Sequence, residues 1–246
     1  MIKHIPNFII LLNLFSGCIA IIFASQGQLS LASFFVILGI FFDFFDGLAA
    51  RWLNVRSELG LQLDSLADMV TSGVAPGFIM FQLLSKLDSS HHGVRTVYDI
   101  HTIEITSYLP FIGFLITLAA AYRLAKFNID SNQTTSFIGL PTPANALLII
   151  SIPLILDYQT SERVTAVILT HWFLISITLL GAFLMNANLK LFALKFKSFN
   201  LKGNEIRYIF LLLSLILILT TKFIALPLII LIYIIISVIV NFKEGN

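Results

Sequence analysis

Apolar runs close to the length of one bilayer crossing recur along the whole chain, and no other feature restricts its fold as strongly. A helix needs about 20 predominantly apolar residues to span the hydrocarbon core. Only helices and closed barrels satisfy every backbone group there. Runs at about 6–24, 29–51, 62–84, 106–127, up to 158, 164–185, 206–221 and 226–240 predict an all-α polytopic membrane protein, a bundle of about eight transmembrane helices. The balance of 58% hydrophobic to 11% charged residues agrees, since soluble domains carry about 25% charge. The first run exceeds the usual signal-peptide core of about 7–15 residues, lacks a small-x-small cleavage site and carries Asn7 and Asn13, so it reads as a spanning helix beginning near Pro6.

The expected organisation is one integral membrane domain over 1–246, with 1–158 holding the polar motifs and 159–246 adding further transmembrane helices. No internal repeat is evident. A net charge of +2 without a basic tract leaves no expectation of nucleic acid as a partner. Cys18, the single cysteine, lies in an apolar run and reads as a small packing residue. The most polar stretch, 85–105, has three histidines whose spacing fits no tight metal pattern, and it reads as a solvated loop.

Eight crossings would place both termini on one side, and basic residues favour the cytoplasmic side. With a cytoplasmic N-terminus, the inner set holds Lys3, Arg51, Arg56, Arg123, Lys126, Lys190, Lys195, Lys197, Lys202, Arg207 and Lys243. The outer set is Lys86, Arg95, Arg163 and Lys222. That arrangement brings three polar stretches, 43–68, 123–128 and 139–145, to the cytoplasmic face of a multi-pass protein of the cell membrane.

The stretch 43–68 reads DFFDGLAARWLNVRSELGLQLDSLAD. Asp43 and Asp46 lie three apart and Asp64 and Asp68 four apart, so on helices each pair shares a face. Ionisable groups at membrane depth are costly and by default mark a functional site. Four carboxylates on adjacent helices suit hard divalent cations such as Mg²⁺, which commonly bridge substrate phosphates. Two such ions can clamp both oxygens of a phosphoryl displacement. Gly47 and Ala50 leave room for a bulky group beside the acids, and Arg51 offers a planar fork to a phosphate oxygen. An acid not fully engaged by metal can take a proton from an attacking hydroxyl. Next to the second acidic pair, Pro76 within GVAPG is expected to bend or loosen its helix.

Asp46, Gly47, Ala50, Arg51, Gly60, Asp64 and Asp68 match every fixed position of D-G-x2-A-R-x8-G-x3-D-x3-D, and Asp43 stands where that pattern has a further aspartate. The chain thereby resembles the CDP-alcohol phosphotransferases. PNFIILLNLFSGCIAI, RLAKFN and FIGLPTPANA resemble the serine-using bacterial branch, so the resemblance covers roughly the first 150 residues. It implies transfer of a phosphatidyl group from CDP-diacylglycerol to L-serine, with release of CMP. It implies two divalent ions, Mg²⁺ or Mn²⁺, held by Asp43, Asp46 and Asp64, with Asp68 reaching one ion and serving as general base. It also implies contacts to the CDP-lipid from the motif positions Gly47, Ala50, Arg51 and Gly60, from Ser57, and from Asn7 and Asn13, together with assembly as a homodimer. One departure is Ile10, where many relatives have threonine.

For the acceptor, serine brings a carboxylate and an ammonium. Arg123, Lys126 and Asn128 are candidates for the carboxylate, and Thr142 and Asn145 for lining the pocket. Arg123 and Lys126 also fit the bland reading that they obey the charge rule of the cytoplasmic face. Rival readings are a glycerol 3-phosphate or inositol phosphate acceptor, which should bring extra cations for a second phosphate, and a membrane prenyltransferase, whose acidic motifs sit in separated repeats. A divalent-cation transporter would instead line a path through the bilayer, whereas these acids gather at one end.

Overall fold

The computed structural model describes residues 4–55, 57–91, 107–129, 137–159, 161–191 and 204–244. It is helical, as the apolar runs require. α1 (Ile5–Ser25) and α2 (Leu29–Trp52) form an antiparallel pair, joined by a turn in which Gly27 takes a positive φ of 76°. Pro6 sits in the first turn of α1, where a missing N–H is harmless. The two helices meet along small residues: Gly17, Ala20 and Ala24 on α1, and Ala32, Val36 and Gly39 on α2 are all buried. In a bilayer, where lipid tails are as apolar as leucine, such close approach drives helix association.

After α2 the chain turns at Asn54, whose φ of 52° asparagine tolerates better than most residues. α3 (Glu58–Asp68) starts four residues before the expected position of 62, because the Ser57 Oγ caps it by accepting from the Gly60 N–H at 3.0 Å. The expected loosening near Pro76 takes the form of a π-helical segment, Met69–Val74, leading into α4 (Ala75–His91). Pro76 lacks an N–H and crowds the carbonyl four residues before it, so the preceding turn widens.

The 3₁₀ turn Leu109–Phe114 leads into α5 (Leu115–Ile129). α6 (Thr142–Tyr158) opens on Pro141, with another proline in its first turn. The expected single helix over 164–185 is instead two pieces, α7 (Glu162–Ile168) and α8 (His171–Asn186), bent by 66°. Thr170 causes a true restart: its Oγ1 accepts from the Phe173 N–H at 3.3 Å, so α8 has its own cap. α9 (Glu205–Thr221) and α10 (Ala225–Glu244) are parted by a 3₁₀ turn at Lys222, where φ is 50°. A two-residue antiparallel ladder, β1 (Phe137–Ile138) with β2 (Lys190–Leu191), was not expected; it ties the entry of α6 to the segment after α8.

Among the described residues, five helical stretches are long and apolar enough to cross a membrane, or six with the bent pair counted as one span. The count of eight is therefore not reached by length and composition: α6 has 17 residues, and α9 with α10 counts as one stretch. Of the other expectations, the polar stretch 85–105 lies largely outside the described residues, as do Lys195, Lys197 and Lys202 of the basic linker.

The surface is inverted relative to a water-soluble protein. Phe8, Phe15, Leu118, Phe183 and Leu219 point outward, while Asn13, Ser33, Thr71, Ser72, Asn145 and Thr178 are wholly buried. That distribution suits a bundle whose polar contacts hold helices together in an apolar solvent. One close backbone approach involves Gly113: a Cβ there would lie 2.6 Å from the Phe81 amide nitrogen and 3.0 Å from the Gly77 carbonyl oxygen. Backbone cannot swing aside as a side chain can. Gly113→Ala should therefore lower stability by about 1–3 kcal/mol, seen as a reduced melting temperature in detergent. An unchanged melting temperature would contradict this packing.

Candidate active site at the ends of α2 and α3

α2 presents Asp43 and Asp46 one turn apart near its end, and α3 presents Asp64 and Asp68. α1 packs against both helices, so these four acids converge beside it. One carboxylate oxygen from each of Asp43, Asp64 and Asp68 lies within 4.8 Å of the others. Asp46 stands outside this triad, yet it is buried at 5% exposure with its Oδ2 lacking any hydrogen-bond partner. The Asp64 Oδ1 is likewise buried without a partner.

Buried oxygens are nearly always satisfied, and carboxylates this close destabilise one another's charged forms. A divalent cation answers both conditions. An all-oxygen, all-anionic donor set is what Mg²⁺ and Mn²⁺ favour. The residues present fit such an ion.

Asn13 is fully buried and donates from Nδ2 to the Asp68 Oδ1 at 3.2 Å. Its carbonyl oxygen accepts from the Thr71 Oγ1 at 3.1 Å. Thr71 belongs to the π-helical segment and also lies against Gly17 and Gly39. The contact of α1, α2 and the widened turn thus fixes how Asp68 is held. Asn13 was expected to face the CDP-lipid; its amide nitrogen is on Asp68, while its Oδ1 is buried without a partner.

The other motif residues divide by what surrounds them. Gly47 has open space: a Cβ added there would meet nothing within 4 Å. Packing of this chain does not require a glycine at that position, which leaves room for a ligand beside the acids. Arg51, exposed one turn later, donates from Nε to the Gly47 carbonyl oxygen at 2.9 Å. Gly60 is closely surrounded: a Cβ would lie 3.0 Å from the Ser57 Oγ and 3.3 Å from the Asn7 Oδ1. Ser57 and Asn7 are thereby brought to the start of α3, and Ala50 is half-buried on α2.

The acceptor candidates separate as well. Arg123 on α5 is buried at 8% exposure, donates from a terminal nitrogen to the Thr142 Oγ1 at 3.2 Å, and keeps a buried Nε without a partner. It lies close enough to Asp68 for the two charges to interact. Lys126 is exposed and lines a small pocket with Arg123. Asn128 instead pairs with Ser65 at 2.9–3.1 Å, pinning α5 to the helix between Asp64 and Asp68. Asn145 is wholly buried against Gly181 and does not line that pocket.

Three positions that sequence reasoning did not single out contribute here: Thr71, Ser65 and Asn186, the last lining the pocket with Arg123 and Lys126. Ser65 lies inside the acidic motif and Asn186 in the polar end of an apolar run, but no local pattern distinguishes either.

If the acids hold a cation, removing two donors should be decisive. Asp43→Asn with Asp64→Asn should weaken Mn²⁺ binding at least roughly 100-fold, followed by electron paramagnetic resonance of free Mn²⁺ in titrations of the detergent-solubilised protein. Unaltered binding would place the ion elsewhere.

Comparison with known proteins supplies the family. The CDP-alcohol phosphatidyltransferase family model matches residues 3–184 of the 246. A CDP-diacylglycerol–serine O-phosphatidyltransferase of Bacillus subtilis is 37% identical over 145 residues, covering 57% of this chain and 70% of the relative. A protein of the same name from Helicobacter pylori is 33% identical over 201 residues, covering 80% and 75%. An archaetidylserine synthase of Methanothermobacter thermautotrophicus is 30% identical over 150 residues, covering 60% and 56%. The match spans the acidic helices, the small-residue pair that frames them and α5 with its buried arginine, and the chain belongs to the CDP-alcohol phosphatidyltransferase family.

Proposed function

We propose that this chain transfers the phosphatidyl group of CDP-diacylglycerol to L-serine, yielding phosphatidylserine and CMP. The observation that carries this reading is the Asp43, Asp64 and Asp68 cluster with a buried, incompletely partnered Arg123 beside it. Acids for a diphosphate's counter-ions and a cation for a carboxylate thus adjoin. The names of the three relatives agree on serine while differing in the lipid, which favours serine as acceptor.

In this reading Asp43, Asp46 and Asp64 hold divalent cations, Mg²⁺ or Mn²⁺, with Asp68 reaching one of them. Such ions supply charge neutralisation for the diphosphate and its departing nucleotide. The open face at Gly47 admits the CDP group, with Arg51, Ala50, Ser57, Gly60 and Asn7 around it. Asp68, steadied at Oδ1 by Asn13, takes the serine hydroxyl proton at its other oxygen. The serine oxygen forms its bond to the phosphorus that carries diacylglycerol, the bond from that phosphorus to the bridging oxygen breaks, and CMP leaves with that oxygen. Arg123 and Lys126 bind the serine carboxylate, with Thr142 orienting Arg123.

Orientation and assembly are inferred with it. The excess of basic residues around these helix ends sets the site at the cytoplasmic face of the cell membrane. There a water-soluble acceptor meets a lipid donor. We infer a homodimer, as the family resemblance implies.

CMP release from CDP-diacylglycerol in membranes, with serine, glycerol 3-phosphate and inositol phosphate supplied in turn, tests the assignment. Serine-dependent release is expected. Dependence on another of these acceptors sinks the serine reading alone, and release independent of all three sinks acceptor-coupled transfer. Asp68→Asn should lower turnover by roughly 100-fold or more while CDP-diacylglycerol binding changes only a few-fold. Near-normal turnover in that variant would remove Asp68 from the role of base.

A further inference from the structure

A second cavity lies at the end of the bundle away from the acids. There the Gly27 turn joins α1 to α2, α6 ends, and the chain bends between α7 and α8. Its volume is about 130 Å³, several times the ~30 Å³ share of one water molecule. Leu29, Leu83, Leu156 and Leu169 give it apolar walls, while Lys86 and Asp157 supply one cation and one carboxylate. Both of these charged side chains are exposed, so a ligand can reach them.

Each charge is held by the protein, but the two are not paired with one another. The Lys86 Nζ donates to the Gly27 carbonyl oxygen at 3.1 Å. An ammonium has three donors, so two remain. The Ser30 Oγ donates to the Asp157 Oδ2, and among the described residues nothing donates to the Oδ1. A simple anion bound here would face Asp157, and a simple cation would face Lys86. A ligand carrying both signs meets a partner at each end.

The surroundings point to where such a ligand comes from. Tyr108, Tyr158 and Trp172 are all exposed at this end of the bundle, and tyrosine and tryptophan gather at the level of lipid headgroups. Asp157 immediately precedes Tyr158, and Leu169 lies one helical turn before Trp172. The cavity therefore opens at headgroup depth.

We propose that this cavity binds the head of a phospholipid bearing both a phosphate and a primary ammonium, with the phosphate on Lys86 and the ammonium on Asp157. Phosphatidylethanolamine has the simplest such head. Its ammonium can donate to the Asp157 Oδ1, which the trimethylated head of phosphatidylcholine cannot do. Phosphatidylglycerol offers the phosphate alone. The site is separate from the acidic cluster and does not depend on which acceptor the protein uses.

Native mass spectrometry of the detergent-solubilised protein tests this, in titrations with phosphatidylethanolamine, phosphatidylcholine and phosphatidylglycerol of identical acyl chains. Phosphatidylethanolamine should bind roughly 10-fold more tightly than either of the others. Lys86→Ala should weaken its binding roughly 10-fold, and Asp157→Asn should remove the preference over phosphatidylglycerol. Both side chains are exposed, so both variants should fold, which melting in detergent checks; Lys86→Gln replaces the alanine variant if that one does not. Equal binding of the three lipids would mean a general lipid coat and overturns the proposal. Binding unchanged in either variant overturns it too. O-phosphoethanolamine, the same head without acyl chains, should not displace the lipid at equal concentration; displacement would make the ligand a free solute and overturn the assignment to a lipid.

Discussion

The mutual repulsion of crowded, largely half-buried carboxylates is the constraint on which the rest of this structure depends. Asp43, Asp64 and Asp68 are held within 4.8 Å of one another, and Asp46 is buried beside them with an oxygen lacking any partner. A freely moving chain would relieve this by letting the helix ends part. They are kept together by packing elsewhere: the small-residue seam between α1 and α2, and the buried Thr71 seated against both Gly17 and Gly39. The strain of assembling the acids is thereby balanced by close contact in the apolar part of the bundle, and a divalent cation would remove the repulsion itself.

That arrangement also separates framework from chemistry along the same helices. Within the bundle several buried hydroxyls are paired with backbone, as with Ser16 and Ser33 on carbonyls of their own helices and Thr71 on that of Asn13. Toward the acidic end, groups are left with unused capacity: the Asp46 and Asp64 oxygens, the Arg123 Nε and the Asn186 Oδ1. In an apolar surrounding, unused capacity is costly. At Asp46 and Asp64 it falls on the acids that would hold a cation.

Much of the site was legible because its spacing is local. Asp43 with Asp46 and Asp64 with Asp68 needed only the helical repeat to be placed on shared faces, and Gly47, Arg51 and Gly60 followed from the same stretch. Partnerships that span the fold were not legible. Asn13 reaches Asp68 across 55 positions, and Ser65 reaches Asn128 across 63. From sequence, Asn13 was a candidate for contact with the nucleotide lipid and Asn128 for a carboxylate; their bonds to Asp68 and Ser65 could not be read there, because a polar residue near a motif carries no mark of its partner. The break between α7 and α8 was hidden for a related reason: hydropathy is continuous through it, while the Thr170 cap that restarts the helix is a matter of backbone geometry.

The sequence by itself determined the membrane class, the helical architecture and the identity of the acidic residues. Each follows from hydropathy or from a period of 3.6 residues, and those act over one or two turns. Only the tertiary structure decided that Asp43, Asp64 and Asp68 form the close triad while Asp46 stands apart, and that Asn13 steadies Asp68. It alone brought Asn186 to Arg123. Those outcomes depend on the depth and rotation at which separate helices pack, set by small residues and by the widened turn before Pro76. No short window of sequence contains both partners of such a contact.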